Sequence, residues 1–541
     1  MALPLKRFKG SSEEVKALSS WLELMVWRKP AMDIDGGVGQ AKKLRARPAS
    51  SHPRTLVCHD MKGGYLDDRF VSGTNNKDAY RFYHWSGVDT FVYFSHHLVT
   101  IPPLGWINAA HLHGVTVLGT FITEWEAGSA VCKKLLASEE TVALAVRQLV
   151  CIANHHGFEG WLINIENEVP IEKIPLMLKF VEDLTKAMRK RETDKETENA
   201  GEDKVKEDND NCHRVIWYDS VTENGELKWQ NALNSQNYAF FDACDGIFLN
   251  YTWTEDHLDH SRKAAGGRHR DVFVGLDIFG RNFYAGGKYD TWKALEVVRK
   301  HDLSAAIFAP GWTHETQPDF MEAERRLWGS LAPFLTHRGI QDLPFTTSFC
   351  QGSGEYFFCK GKMEREGPWH NLSLQHLQPL WSQEGEEEGS GCLSLVTQEA
   401  YNGGGCLGIT THSSTTFRLM VCDLEWTRPL RVTVAYKWSS QPTALTFLCH
   451  LSPSSSSLKQ KILEFICEKD KEDKTDGDAC VGEEVIECPL EVSHVENGWN
   501  IRRFTACEVP GHRMTLMTLR LGGAAELRLG HLDMMLEAEA V

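Results

Sequence analysis

Apolar and polar positions follow two different periods along most of this 541-residue chain. From Thr55 onward, short runs of β-favouring residues are separated by longer segments in which apolar residues recur at helical spacing. The predicted strands are Thr55–Asp60, Thr90–His96, Val115–Ile122, Trp161–Glu166, Arg214–Val221, Gly246–Trp253, Asp271–Ile278 and Ser304–Trp312. Strand and helix alternating eight times predict an α/β fold of the (β/α)8 TIM barrel type.

The segments between the strands carry helix signals. Ser138 precedes two glutamates and an apolar stripe that ends at Gly157, which predicts a helix between these two residues. A second predicted helix follows the fourth strand, with its apolar face running from Met177 to Met188. The alternative is an open doubly wound sheet, which is expected to carry a phosphate-binding glycine loop after its first strand. The segment Met61–Tyr65 contains glycines but matches neither phosphate motif.

The alternation stops after Trp328, and the chain divides into regions. We predict an N-terminal arm over 1–53, the barrel over 54–335, a connecting segment with an acidic linker over 336–391, and a β-sandwich over 392–541. The arm contains one amphipathic helix candidate, Ser12–Trp27. The strand-type segments of the sandwich include Thr415–Val421, Leu430–Lys437, Ala444–His450 and Met514–Leu521.

Two stretches, Arg189–Asn211 and Cys467–Glu484, are almost wholly polar or charged. Such stretches bury too little apolar surface to pack, so we predict surface loops. For Arg189–Asn211 the alternative is a regulatory or docking role. The sandwich itself is expected to brace the barrel or to bind carbohydrate.

Composition narrows the class of protein. A formal charge of −16 argues against nucleic acid or anionic membrane as the main partner. The basic start of the chain lacks the apolar run of a secretory signal, and no later window is long and apolar enough to span a membrane, so we expect a soluble cytosolic protein. The 15 cysteines are odd in number and lack metal-type spacing, which favours reduced thiols and predicts no metal and no cofactor.

Polar residues collect at the carboxyl ends of the predicted strands. In a TIM barrel these ends meet on one face, where the chemistry of such folds takes place. The residues are Asp60, His96, His97, Glu124, Trp125, Asn164, Glu166, Tyr218, Asp219, Asn250, Trp253, Asp277 and Trp312. Each of them could belong to a satisfied structural network, but their shared location favours a functional site.

The strand Trp161–Glu166 carries the sharpest signal. Side chains alternate along a strand, so Asn164 and Glu166 point the same way, while Trp161, Ile163 and Ile165 face the other side. An amide and a carboxyl group at the end of an apolar strand cost free energy to bury without partners. The pair is therefore either a structural network or the centre of a site.

Several motifs along the barrel resemble glycoside hydrolase family 85. They are His59–Tyr65, Val92–His97, Leu118–Trp125, Gly160–Asn167, Trp217–Val221 and Phe308–Trp312. The resemblance covers the whole barrel and extends weakly into the sandwich. It does not cover the first fifty or so residues, the charged loops resemble insertions, and Glu159 stands where the family often has aspartate.

The resemblance implies a retaining hydrolase that cuts between the two core N-acetylglucosamines of N-glycans, free or on glycoproteins. It assigns Asn164 and Glu166 as the catalytic pair and places Tyr218 beside the substrate acetamide. Trp229 and Trp253 are expected around the acceptor sugar. Further residues expected to bind substrate are Phe121, Trp125, Asp60 and Trp312. Transfer to an acceptor other than water would give transglycosylation.

The chemistry of the pair agrees with this assignment. An ordinary retaining glycosidase uses two carboxylates, whereas this strand supplies one carboxyl group and one amide. That combination suits substrate assistance, in which the 2-acetamido oxygen attacks the anomeric carbon while Asn164 orients it and Glu166 is the acid and base. Two rivals stay open: a catalytically dead barrel that binds glycans, and a hydrolase using Glu166 with Asp219 or Asp277.

Overall fold

The structure is a computed structural model that describes residues 13–29, 41–45, 51–199, 213–382, 391–455, 458–468 and 484–537, without the side chains of 191–199. Its first sheet consists of β1 (Thr55–His59), β2 (Thr90–Tyr93), β3 (Val99–Thr100), β4 (Thr116–Glu124), β5 (Gly160–Glu166), β6 (Arg214–Tyr218), β7 (Gly246–Leu249), β8 (Val272–Asp277) and β9 (Ser304–Phe308). The short β3 lies antiparallel on β4. The other strands are parallel, and they close a barrel because β9 pairs with β1 and β2 pairs with β4. The predicted TIM barrel is confirmed.

Helices follow the strands and cover the outside of the barrel. They are α1 (Trp21–Val26), α2 (Leu104–Leu112), α3 (Trp125–Leu135), α4 (Glu139–His156), α5 (Ile174–Asn199), α6 (Tyr238–Asp242), α7 (Glu255–Ala265), α8 (Thr291–Lys300), α9 (Trp312–Thr316) and α10 (Phe320–Leu331). Helix α4 begins and ends as predicted, because the Ser138 hydroxyl accepts a hydrogen bond from the Thr141 N–H and Gly157 adopts a left-handed conformation.

The two faces of each barrel strand pack into different cores. Leu162 faces the barrel interior with residues such as Leu56, Leu118 and Ile216. Trp161, Ile163 and Ile165 belong instead to the large core between the strands and the surrounding helices. The alternation predicted for β5 is therefore present, and it directs Asn164 and Glu166 toward the interior side.

Strand ends and the first helix differ from the prediction. Strand β7 ends at Leu249 rather than Trp253, and β9 ends at Phe308, so that Trp312 begins a helix instead. Within the described part of the predicted amphipathic helix, only Trp21–Val26 is helical. Glu14 and Leu18 instead form β-bridges to Phe70 and Val99 of the barrel, and these bridges compete with helix formation.

The charged stretch beginning at Arg189 is helical for longer than predicted. Helix α5 continues to Asn199, and residues 200–212 lie outside the described part of the chain. Arg189 is part of this helix because its guanidinium binds the buried carboxylate of Asp245, whose other oxygen accepts the N–H of Val215 at 2.7 Å. An ion pair thus holds the helix to the barrel where composition alone indicates a loop.

The second half of the described chain is built from sheets that are antiparallel apart from one parallel strand pair at an edge. Its strands are β10 (Phe345–Thr347), β11 (Ser353–Cys359), β12 (Lys362–His370), β13 (Gly391–Val396), β14 (Cys406–Thr411), β15 (Thr415–Leu424), β16 (Leu430–Ser440), β17 (Leu445–Pro453), β18 (Lys461–Glu468), β19 (Glu484–Glu487), β20 (Leu490–Glu496), β21 (Trp499–Ala506), β22 (His512–Leu521) and β23 (Ala525–Leu536). One sheet has the order β13-β14-β23-β16-β21-β20, with β10 on β23, and the other has the order β15-β22-β17-β18-β19. Both sheets bury apolar residues in one shared core, which confirms the predicted C-terminal β-sandwich.

The acidic linker and the second charged stretch fall mainly on 383–390 and 469–483, which lie outside the described residues. The cysteines of the described part of the chain are all free thiols. Among the helices described here, none has the length and apolar character needed to cross a membrane.

Candidate active site

The carboxyl ends of β4 and β5 form one wall of a cavity at the barrel mouth. The register of these parallel strands sets Ile122 beside Asn164 and Glu124 beside Glu166. The cavity has a volume of about 250 Å³. Its polar lining includes Asp60, His96, Glu124, Asn164, Glu166, Tyr218 and Asp277. These seven of the residues that the sequence places at strand ends are thus brought together around one space.

Glu166 is tuned to hold a proton near neutral pH. Burial raises the pKa of its carboxyl group to about 7, and the negative charge of Glu124 acts in the same direction. The side chains of Asn164 and His96 act in the opposite direction. A carboxyl group with a pKa near the working pH can both donate and accept a proton, which is what an acid/base catalyst requires.

Asn164 is buried without a full set of hydrogen bonds. Its side chain is 3% exposed, and its Nδ2 has no hydrogen-bond partner among the described residues. The Asn164 side chain lowers the pKa of Glu166, so the amide lies next to this carboxyl group. An unpaired buried donor lowers the stability of the fold by on the order of 1–3 kcal/mol. Because the amide has already lost its water, a ligand can accept its hydrogen bond without a further desolvation cost.

Tyr218 reaches the cavity from the end of β6. Its hydroxyl donates to Oδ1 of Asn250 at 2.9 Å, and Nδ2 of Asn250 donates to Oδ1 of Asn231 at 2.8 Å. Burial raises the pKa of Tyr218 well above its usual value, and Glu166 adds to the effect. The phenol is therefore a neutral hydrogen-bonding group with a fixed orientation in the cavity.

Asp219 has a structural task close to this site. Its carboxylate accepts the backbone N–H groups of Gln230 and Asn231 and the side-chain amide of Asn237. These bonds hold the loop that follows β6, including Asn231, which accepts from the Asn250 amide that in turn contacts Tyr218. Although burial raises the pKa of Asp219 to about 6, its oxygens are occupied by donors and it does not line the cavity.

Asp277 does line the cavity, but it is paired. Its two oxygens accept from the guanidinium of Arg281, at 2.9 Å from Nε and 3.0 Å from the terminal nitrogen. The backbone N–H of Arg281 donates to the same carboxylate. Asp219 and Asp277 are therefore both engaged in networks, unlike Asn164.

The residues assigned to substrate binding separate into two groups. Asp60 lines the cavity, and burial raises the pKa of its carboxyl group. Trp125 is 74% exposed beside the cavity, with its ring stacked on His96 at 6.2 Å. Trp229 is 40% exposed on the loop held by Asp219.

The other three are buried and, like Trp125 and Trp229, do not line the cavity. Phe121 is fully buried on the outer side of β4 against Phe180, because it has the opposite strand parity to Ile122. Trp253 is buried beyond the end of β7, where its Nε1 donates to the Gly275 carbonyl at 2.8 Å and its ring stacks on Tyr284. Trp312 is buried at the start of α9, edge-on to Tyr289.

Tyr251 and Arg281 line the cavity but are not among the residues predicted from the sequence. Tyr251 is missed because the predicted strand runs past it, whereas β7 ends at Leu249 and the chain then turns the ring inward. Gly275 leaves room for that ring, since a Cβ at this position would lie 2.8 Å from it. The glycine within β8 is the available signal for a close approach at this point.

No group of three or more His, Cys, Asp or Glu side chains that could hold a metal ion occurs within the described ranges. A TIM barrel whose strand ends carry a proton-holding carboxyl group beside an unpaired amide has the features of a glycoside hydrolase. The sequence profile of glycosyl hydrolase family 85 matches residues 65–357. The chain belongs to glycosyl hydrolase family 85, which confirms the resemblance drawn from its motifs.

Curated relatives are similar over most of this chain. The cytosolic endo-beta-N-acetylglucosaminidase of Gallus gallus is 46% identical over 406 residues, which are 74% of this chain and 53% of the relative. The Homo sapiens protein of the same name is 44% identical over 72% of this chain and 51% of the relative. Cytosolic endo-beta-N-acetylglucosaminidase 1 of Arabidopsis thaliana is 39% identical over 86% and 66%. The chain spans about half the length of the animal relatives it matches.

A solved structure shares the fold. The glycoside hydrolase domain of Endo-D from Streptococcus pneumoniae R6 superposes with a TM-score of 0.71 over 97% of this chain and 83% of that one. The two sequences are 20% identical. The similarity includes the antiparallel second half as well as the barrel, since it covers nearly the whole chain.

Proposed function

We propose that this chain is a cytosolic endo-β-N-acetylglucosaminidase. It hydrolyses the β-1,4 bond between the two core N-acetylglucosamines of N-glycans, on free oligosaccharides and on glycoproteins. The single observation that carries the proposal is the unpaired, buried amide of Asn164 on the same strand face as Glu166, whose pKa is raised to about 7. The names of the matched relatives support the substrate class and the compartment.

The proposed reaction retains anomeric configuration and uses the substrate as its own nucleophile. The 2-acetamido oxygen attacks the anomeric carbon and forms an oxazolinium ion as the bond to the leaving oxygen breaks. Glu166 donates its proton to that oxygen. Asn164 holds the acetamide in position with hydrogen bonds in a site of low dielectric.

The second step restores the enzyme. Water attacks the anomeric carbon, Glu166 takes the proton of the water, and the acetamide is released. The Tyr218 hydroxyl is a fixed polar group that can contact the same acetamide. A sugar hydroxyl in place of water would give transglycosylation by the same step. The exposed rings of Trp125 and Trp229 are suited to stacking on an acceptor sugar.

A covalent mechanism has less support from the contacts. It needs a second free carboxylate about 5–5.5 Å from the first. Asp219 and Asp277 are both occupied by donors, and Oε2 of Glu124 lies 2.9 Å from the His96 ring. The alternative of a barrel that only binds glycans leaves the raised pKa of Glu166 without a purpose.

A defined N-glycopeptide tests the proposal directly. We expect the 541-residue chain to leave one N-acetylglucosamine on the peptide, as measured by mass spectrometry of the products. Glu166→Gln serves as the matched inactive control. Intact glycopeptide after prolonged incubation with folded protein would refute the proposed activity, and cleavage of an analogue lacking the 2-acetamido group would refute the substrate-assisted mechanism.

A further inference from the structure

Glu124 and His96 form a pair beside Glu166 that the proposed reaction does not use. Oε2 of Glu124 lies 2.9 Å from Nδ1 of His96, with the carboxylate largely buried and the ring about half exposed. Glu124 stands directly beside Glu166 in the register of β4 and β5, and all three side chains line the same cavity. The negative member of the pair is thus the neighbour of Glu166, and the positive member is nearer to solvent.

The backbone around Glu124 is held in a specific shape. The next residue, Trp125, has a φ of 52°, a left-handed conformation that costs a residue of this type on the order of 1–3 kcal/mol. Its carbonyl accepts the side-chain amide of Asn167 at 2.8 Å, which ties the end of β4 to the end of β5. Gly128 packs so closely on Asn167 that a Cβ there would lie 2.3 Å from Oδ1. These contacts fix where the Glu124 carboxylate stands relative to Glu166.

We propose that Glu124 and His96 are positioning residues that set when Glu166 holds its proton. The inference rests on the proposed function, because it concerns the acid/base role of Glu166. The Glu124 charge disfavours ionisation of Glu166 and so keeps the acid ready for each new substrate. His96, when protonated, counteracts Glu124 and stabilises Glu166 in its ionised form, which is the base needed in the second step.

The other titratable groups that line the cavity do not control the protonation of Glu166 in this way. They are Cys58, Asp60, Tyr218, Tyr251, Asp277 and Arg281. Burial raises the pKa of Cys58, Tyr218 and Tyr251 well above their usual values, so these groups stay neutral. Arg281 compensates Asp277 directly. The interactions of Asp60 include His96 and Arg281, whereas the charge that acts most strongly on Glu166 is that of Glu124.

The test is a titration of Glu166 that does not depend on turnover. The glutamate carboxyl groups are labelled with carbon-13, and the Glu166 signal is identified by its loss in Glu166→Gln. We expect Glu124→Gln to lower the pKa of Glu166 by about one unit, because a like charge is removed. We expect His96→Asn to raise it by a smaller amount, because the charge of His96 lowers the pKa of Glu166 and acts on it less strongly than the charge of Glu124.

Two variants control this experiment. Glu124→Asp keeps the charge and should retain most of the wild-type titration. Asp259→Asn breaks a similar pair remote from the cavity, in which Oδ1 of Asp259 lies 3.0 Å from Nδ1 of His301, and should leave the titration unchanged. If Glu124→Gln does not fold, the direction in which His96→Asn shifts the pKa of Glu166 tests the proposal.

Activity adds an independent readout. On an N-glycopeptide, the fall of kcat/KM at high pH should move to lower pH in Glu124→Gln and to higher pH in His96→Asn. Shifts in the same direction, or an unmoved Glu166 titration in both variants, would overturn the inference. A wild-type chain that does not cleave the glycopeptide would overturn the proposed function instead, while the titration would still decide the coupling between the three groups.

Discussion

Both ends of β5 carry buried polar side chains, but these side chains differ in whether their hydrogen bonds are made within the protein. At the amino end, Glu159 is buried and accepts from His111 at 3.0 Å and from the Val117 N–H at 2.9 Å. At the carboxyl end, Asn164 is as deeply buried, but its Nδ2 finds no partner among the described residues. A satisfied buried carboxylate stabilises a fold, whereas an unpaired buried amide in a cavity is available for a ligand.

The largest expected effect is a loss of activity at the carboxyl end of β5. Glu166→Gln keeps the shape of the side chain but removes the transferable proton, so turnover of an unactivated N-glycan should fall by about 10²–10⁴-fold. Steady-state kinetics measure this loss of turnover, and circular dichroism serves as the folding control. Near wild-type turnover in a folded variant would assign the acid/base role to another residue.

Removal of the Asn164 amide should also lower activity. Asn164→Ala removes the group that orients the acetamide and should cost about 2.7–4 kcal/mol in kcat/KM, as deletion of one oxyanion-type donor does. Because the Nδ2 group has no partner in the described structure, its removal should not lower the free energy of unfolding. A large loss of stability in urea denaturation would indicate a structural role like that of Glu159.

Glu166 should also reduce stability at high pH. Its pKa is raised from the usual glutamate value of 4.5 to about 7 in the fold, so the folded state binds the proton more tightly than the unfolded state. That contribution is complete below about pH 4.5 and is lost as the pH rises through about 7. Above pH 7, Glu166→Gln should therefore be more stable than wild type by up to about 3 kcal/mol. Denaturation at pH 5 and pH 8 measures the difference, and equal differences at both values would contradict the assigned burial.

The smallest expected effect concerns the amino end. Glu159→Ala removes the oxygen that accepts from Nε2 of His111 and from the Val117 N–H and should lower the free energy of unfolding by about 1–3 kcal/mol. Activity per folded molecule should stay near wild type, because this end of the strand lies away from the cavity. A loss of kcat with an unchanged free energy of unfolding in Glu159→Ala would contradict the distinction between a structural amino end and a functional carboxyl end of β5.

Much of the barrel and the centre of the site could be predicted from sequence because they depend on local periodicity. Asn164 and Glu166 share a face by strand parity alone. The position of Glu124 beside Glu166 depends on the register of two strands separated by two helices, which no local pattern specifies. Phe121 is predicted to bind substrate although it has the outward parity of its own strand.

The remaining differences arise where a strand ends. Apolar residues after Leu249 and Phe308 continue the strand pattern in sequence, but the backbone turns there. As a result Trp253 and Trp312 are buried away from the cavity, and Tyr251 enters it. Strand termination depends on tertiary contacts such as the hydrogen bond from Trp253 to the Gly275 carbonyl, which sequence patterns do not contain.

The central claim is that Asn164 orients the substrate acetamide for oxazoline formation and that Glu166 transfers the proton. It is tested most directly by giving Asn164→Ala a preformed glycan oxazoline together with an N-acetylglucosamine acceptor. Because the step that needs the amide is already complete in this donor, the account predicts that the variant makes the transfer product and hydrolyses it only slowly. A folded Asn164→Ala protein that cannot use the oxazoline, while the wild type can, would contradict the account.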